Sequence, residues 1–199
     1  MCQDRLGTLL ACFTLLSACG GGEPDPRTIP GAIESALAAT DAYDGHALYK
    51  LVDQRARRSM CAVIFDRHAA RDLVVAHYPE EARADVLASL GDAPQASDAA
   101  DLFAHRCDAA CFRWFATNLA APAEVRETGH DDVVVRTTRG GELHLHRGSD
   151  GWWGVTRDGE NERLAEEALD AGRDRAEIEE AARVYDRRRD LASPLGGTP

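Results

Sequence analysis

No stretch of this 199-residue chain is long and apolar enough to cross a bilayer: the longest apolar run, Leu6 to Leu16, covers eleven residues, and a hydrocarbon core needs roughly twenty. Positive charge is scarce. Lys and Arg total 23 against 34 Asp and Glu, a formal net charge of -11. So acidic a surface is repelled by nucleic acid and by anionic lipid headgroups, which excludes nucleic acid as a partner. The six cysteines include no pair separated by two residues, the spacing of most metal, haem and redox motifs. No segment repeats at a fixed period, so a solenoid or array is excluded.

What the N-terminus does hold is a short apolar run followed by Leu16-Ser17-Ala18-Cys19 and then Gly20-Gly21-Gly22. The run has the length of the apolar region of a secretory signal. The four residues resemble the lipobox of bacterial lipoproteins: an apolar residue, two small ones and a cysteine. The resemblance implies a signal peptide over 1–18, a diacylglyceryl group on the Cys19 thiol, cleavage before Cys19, and acylation (palmitate) of the new amine. One acyl chain binds a membrane marginally, whereas two or three anchor it stably at about 0.8 kcal/mol per buried methylene. Gly20 in place of Asp implies the outer membrane, facing the periplasm. Residues 19–30, with Pro24, Pro26 and Pro30, then read as a lipidated cysteine and flexible tether that reaches roughly 35 Å when extended.

About 180 residues remain after position 18, enough for one domain with a real core. Helical spacing runs from Ile29 to Tyr43, with a break at Asp44-Gly45. A short helix carrying Leu48, Leu51 and Val52 follows, capped by Asp44. A third helix runs from near Arg57 to His77, and a fourth from Glu80 to Leu90, closed by Gly91. Ala93 to Ala96 is a loop. Ser97 or Asp98 then caps a helix that reaches about Leu119 and places Phe103, Cys107, Ala110, Cys111 and Trp114 on one stripe.

At Ala123 the period changes to two. Val125 marks one strand, Val133, Val135 and Thr137 a second, and Leu143 and Leu145 a third. Trp152 to Val155 make a fourth, with tight turns at Arg139–Glu142 and His146–Gly151. A charged helix closes the chain, with Leu164, Ala168, Leu169, Ile178, Ala181, Ala182 and Tyr185 as its inner stripe. The expected fold is α+β: helices packed on a curved antiparallel meander of three to four strands over 31–158, a C-terminal helix over 159–191 and a disordered tail over 192–199.

Ala32 to Asp53, a helix, tight turn and short helix, and Glu124 to Thr156, strands ending in a Trp-containing strand, together resemble the nuclear transport factor 2-like superfamily of cone-shaped α+β proteins. The resemblance implies a pocket between sheet and helices, and also implies a strand between Arg57 and Ala120, where the spacing is helical throughout. Its enzymes use Asp, His, Tyr or Arg inside that pocket. Here Asp41, Tyr43, Tyr49, His68, Asp72, His105 and Arg113 are of those types, but no spacing fixes a pair, and no catalytic residue is assigned.

His144 and His146 share a strand face and are of a type and spacing that suits zinc. A third ligand at diagnostic spacing is lacking, with only His130 or Glu142 nearby, so no metal and no cofactor is assigned. The alternative is two solvent-facing histidines beside core Leu143 and Leu145. With Cys19 lipidated in an oxidising compartment, Cys61, Cys107 and Cys111 are the disulfide candidates. A bridge between neighbouring turns of one helix is awkward, so Cys61 is expected to pair with Cys107 or Cys111; buried free thiols are the alternative. Phe103, Phe112, Trp114, Phe115, Trp152 and Trp153 read mainly as core, but adjacent Trp152 and Trp153 point to opposite faces, so one of the two is not in that core. With Trp153 as the outer one, His144, His146 and Trp153 form a candidate contact patch for an envelope protein partner. The sequence thus reads as a lipid-anchored envelope protein, a non-catalytic accessory or binding module held to the membrane through the lipid on Cys19. The alternative is a small cone-fold enzyme or ligand-binding protein.

Overall fold

The computed structural model describes residues 23–192. Cys19, the signal segment 1–18 and the tail from 193 lie outside the described residues. The fold is α+β. Among the described residues there are seven α-helices, α1 (Ile29–Asp41), α2 (Gly45–Lys50), α3 (Gln54–His77), α4 (Glu80–Ser89), α5 (Ala99–Arg106), α6 (Ala109–Asn118) and α7 (Glu160–Ala192), and a four-stranded sheet that α1, α2 and α6 cover on one face. Its strands are β1 (Pro122–Glu127), β2 (Asp132–Thr137), β3 (Glu142–Arg147) and β4 (Trp153–Thr156), paired antiparallel in sequence order. None of the described helices is long and apolar enough to cross a membrane.

Capping chemistry sets the helix starts. Thr28, Asp44, Asp53, Asp98 and Asp108 each accept a backbone N–H in the first turn of α1, α2, α3, α5 and α6, satisfying donors that have no intrahelical partner. The break after α1 falls at Tyr43, whose φ of 53° is left-handed, rather than at Asp44-Gly45. The Tyr43 ring meets Phe112 in a tilted contact, centroids 5.2 Å apart.

The long helix expected from Ser97 to Leu119 is two helices. Cys107 caps the end of α5, and Asp108 adopts extended backbone and caps α6. A capping aspartate competes with the helix for backbone N–H groups, which is how it ends one helix and starts the next. Because of this break, Cys107 and Cys111 are not on neighbouring turns of one helix, and they form the disulfide, with Cα atoms 5.1 Å apart. The expected pairing of Cys61 is thereby overturned: Cys61 is a free, exposed thiol.

The stretch read as tether packs against the domain from Pro24 onward. The Trp153 N–H donates to the Pro26 carbonyl at 2.9 Å, and the Ser35 hydroxyl donates to the Pro24 carbonyl. Between Gln54 and Asn118 the described backbone has no strand, so the strand implied by the cone-fold resemblance is absent there.

Three apolar clusters form the interior. The first joins α1, α2, α6 and the inner sheet face through Ile33, Leu48, Phe115, Val135, Leu143 and Val155. The second joins the first half of α3, α5 and Leu164 of α7. The third joins Val74, Tyr78, Leu90, Ile178 and Ala182. Helix α7 packs along α3. It runs parallel to α3, as the ion pairs Asp66–Arg175 and Arg67–Asp174 and the contact of His77 with Asp186 show. Leu169, expected on its inner stripe, is 67% exposed.

Candidate binding cleft

Strand β4 is where the sheet, α3 and α7 meet. Val52 bridges Val155 in parallel, the Asp53 N–H donates to the Val155 carbonyl, and the Val155 N–H donates to the Leu51 carbonyl at 2.7 Å. Asp53 itself is fully buried. Its carboxylate accepts from the backbone N–H of Arg55 (2.7 Å), from the Arg55 guanidinium and from the Asn161 amide (2.8 Å). Burial alone would raise this carboxyl, but the hydrogen bonds from Arg55 and Asn161 outweigh it and hold the group below its ordinary range. Arg55 also donates to Asp132 at 2.9 Å, and Asp132 meets His146 Nδ1 at 3.1 Å. Asn161, Asp53, Arg55, Asp132 and His146 thus link the starts of α7 and α3 to β2 and β3.

Two clefts flank this junction, sharing Thr156 and Arg157. The first, about 360 Å³, is of mixed polarity, with Arg55, Asp132, His144 and Asn161 beside Val133, Leu145 and Ala165 in its walls. The second, about 370 Å³, has an apolar floor of Val52, Met60, Phe103, Phe115 and Leu164, and the Cys107–Cys111 bridge forms part of its wall. Three guanidiniums, Arg106, Arg157 and Arg163, and the Glu160 carboxylate stand at its rim. Arg106 pairs with Asp92 (2.6 Å) and Glu167 (2.9 Å). The hydrogen bonds that Arg106 donates to Asp92 raise the guanidinium above its usual value, and those same bonds lower the Asp92 carboxyl. Arg163 pairs with Glu160 at 2.6 Å, which raises it likewise. Arg157 lies over the Trp114 ring, 5.3 Å from its centroid, and no carboxylate among the described residues pairs with it.

The residues singled out from the sequence are scattered by comparison. His144 and His146 do share the outer sheet face, opposite Thr156 and Gly154. Trp153 does not join them: it shares the face of Val155 and packs on the first apolar cluster, so the three form no patch. Among the described residues no group of three His, Cys, Asp or Glu is placed to hold a metal. Tyr49 stacks near Phe103, and burial, then its contact with Cys61 Sγ, raises its hydroxyl. His68 bonds the Ala96 carbonyl, and Asp72 pairs with Arg71. Neither cleft at β4 is lined by Asp41, Tyr43, Tyr49, His68, Asp72, His105 or Arg113.

Sequence reasoning missed Asp53, Asn161, Arg106, Arg157 and Arg163. Asp53 had one available signal, its position immediately before a helical run. The arginines had none, because a rim cation has the same local pattern as any wet helix face.

Comparison with family models, with curated proteins and with solved structures finds no match to this chain.

Proposed function

We propose that this chain is a lipid-anchored cell-envelope protein, probed by its partners as a non-catalytic binding module, with the apolar cleft beside the Cys107–Cys111 bridge as its binding surface. The lipobox-like residues at 16–19 supply the anchor in this proposal. The observation that carries the arrangement is the bond from Trp153 N–H to the Pro26 carbonyl. With the chain pinned there, Pro26 is only seven positions after Cys19, a span of roughly 25 Å at full extension. A lipid on Cys19 holds the cleft within a domain's width of the membrane surface, with the outer membrane and its periplasmic side as the proposed location.

A binding role is supported by how the perturbed carboxylates are used. Asp53, Asp92, Asp101, Asp108 and Asp150 are all held low by caps or ion pairs, so each is committed to holding the fold. The pairing of α1 and α2 against an antiparallel meander supports the cone-like resemblance as part of this proposal, and the helical stretch from α3 to α6 departs from it.

Fractionation of a bacterium expressing the chain tests the anchor. The wild type is expected in the membrane fraction, released by detergent and not by high salt, and Cys19→Ala is expected to leave that fraction. Equal membrane association of the two would overturn the proposal.

A further inference from the structure

We infer that the cleft beside the Cys107–Cys111 bridge takes a small amphiphile with an apolar tail and one anionic head, the head being held by Arg157; this rests on the binding role proposed above. The cleft volume of about 370 Å³ corresponds to roughly a dozen water volumes at about 30 Å³ each. That is space for a medium-length chain. Its floor is supplied by Val52, Met60, Phe103, Phe115 and Leu164, none of which offers a polar side-chain partner. A polar ligand body would lose its hydration there without compensation, whereas an alkyl or small aromatic body would gain from burial.

The rim decides the head. Arg106 and Arg163 are already engaged by Asp92, Glu160 and Glu167, so an incoming carboxylate would have to displace an existing pair. Arg157 has no such partner among the described residues, and its guanidinium carbon lies 5.3 Å from the Trp114 ring centroid. With no carboxylate engaging it, its forked donors are available to an anion. A cationic head would meet three guanidiniums against the single lining carboxylate of Glu160 and is disfavoured. A neutral head would leave the Arg157 fork to water.

The test uses photolabelling of the full chain in phosphatidylcholine nanodiscs, with decanoate, decanol and decyltrimethylammonium probes that each carry a diazirine on the tail. Labelled residues are mapped by tandem mass spectrometry. Labelling by the decanoate probe is expected at Met60, Phe103 and Leu164, competed by plain decanoate and at least tenfold above the other two probes. Arg157→Gln, at an exposed position, is expected to keep the wild-type circular dichroism. It should lower decanoate labelling roughly tenfold, the loss of one charge-assisted pair, and leave decanol labelling unchanged. Equal labelling by decanol, or an unchanged decanoate signal in Arg157→Gln, would overturn the assignment of an anionic head while leaving the cleft as a binding surface. Labelling by no probe within the cleft would overturn both.

Discussion

Gly154 lies against Asp53 so closely that a Cβ added to the glycine would stand 2.6 Å from the Asp53 Cα and 2.8 Å from its nitrogen. Both contacts are backbone atoms, which cannot rotate away. The pairing of β4 with the segment entering α3 therefore requires glycine at this position, for close approach and not for an unusual φ.

Gly154→Ala is expected to destabilise the fold by about 1–3 kcal/mol, the usual range for overpacking a tight site. Thermal unfolding followed by circular dichroism measures this directly. A melting temperature equal to the wild type would contradict the close approach.

The buried Asp53 carboxylate gives the stability a defined acid limb. Its folded-state pKa lies below the ordinary 3.8, so its contribution is fully present above the unfolded value and is lost as the pH falls through that value toward the folded one. Asp53→Asn is expected to be less stable than the wild type by roughly 2–3 kcal/mol at neutral pH, through a weakened cap and lost charge-assisted bonds. Denaturant titrations across pH should show this gap constant from neutral pH down to about 5 and closing below about 4. A gap that widened in acid would reverse the sign argued for Asp53.

Helix α7 separates two residues that look alike in sequence. Ile178 is 8% exposed in the third cluster, whereas Leu169 is 67% exposed. Ile178→Ala is expected to cost about 2–4 kcal/mol, and Leu169→Ala to stay within about 0.5 kcal/mol of the wild type. Comparable losses in urea unfolding would mean that the two share one buried face after all.

That contrast shows what periodicity can carry. Apolar spacing located α1 to α4, and alternation located β2 and β3, because Val133, Val135, Leu143 and Leu145 are buried on one face of a sheet whose other face carries His144 and Arg136. The C-terminal stripe was only partly legible, because α7 is buried by α3, a partner that helical spacing cannot identify. The Cys107-Asp108 break was hidden for a related reason. Apolar side chains continue on both sides of it, and the capping power of Asp108 outweighs a stripe that would otherwise run on. The cleft was illegible altogether, since its floor is ordinary core sequence brought together from α3, α5, α6 and α7.

The cysteines give a direct chemical test of that break. Cleavage after arginine, without reduction, should yield Cys107–Arg113 as a single internally bridged peptide, and Cys61 should be alkylated in the folded protein. Cys111→Ser is expected to cost about 2 kcal/mol, as a short closed loop implies in the chain-entropy picture. A crosslinked peptide joining Cys61 to either partner would contradict the arrangement.

In the proposed function, a lipid on Cys19 would set the compartment, the distance of the cleft from the membrane and the oxidising surroundings of the bridge. The intact mass of the chain extracted from the membrane of the producing cell tests it most directly. The account predicts a polypeptide that begins at Cys19, heavier than its sequence by a diacylglyceryl and a further acyl group. An unmodified cysteine at position 19, or a chain still carrying residues 1–18, would contradict it.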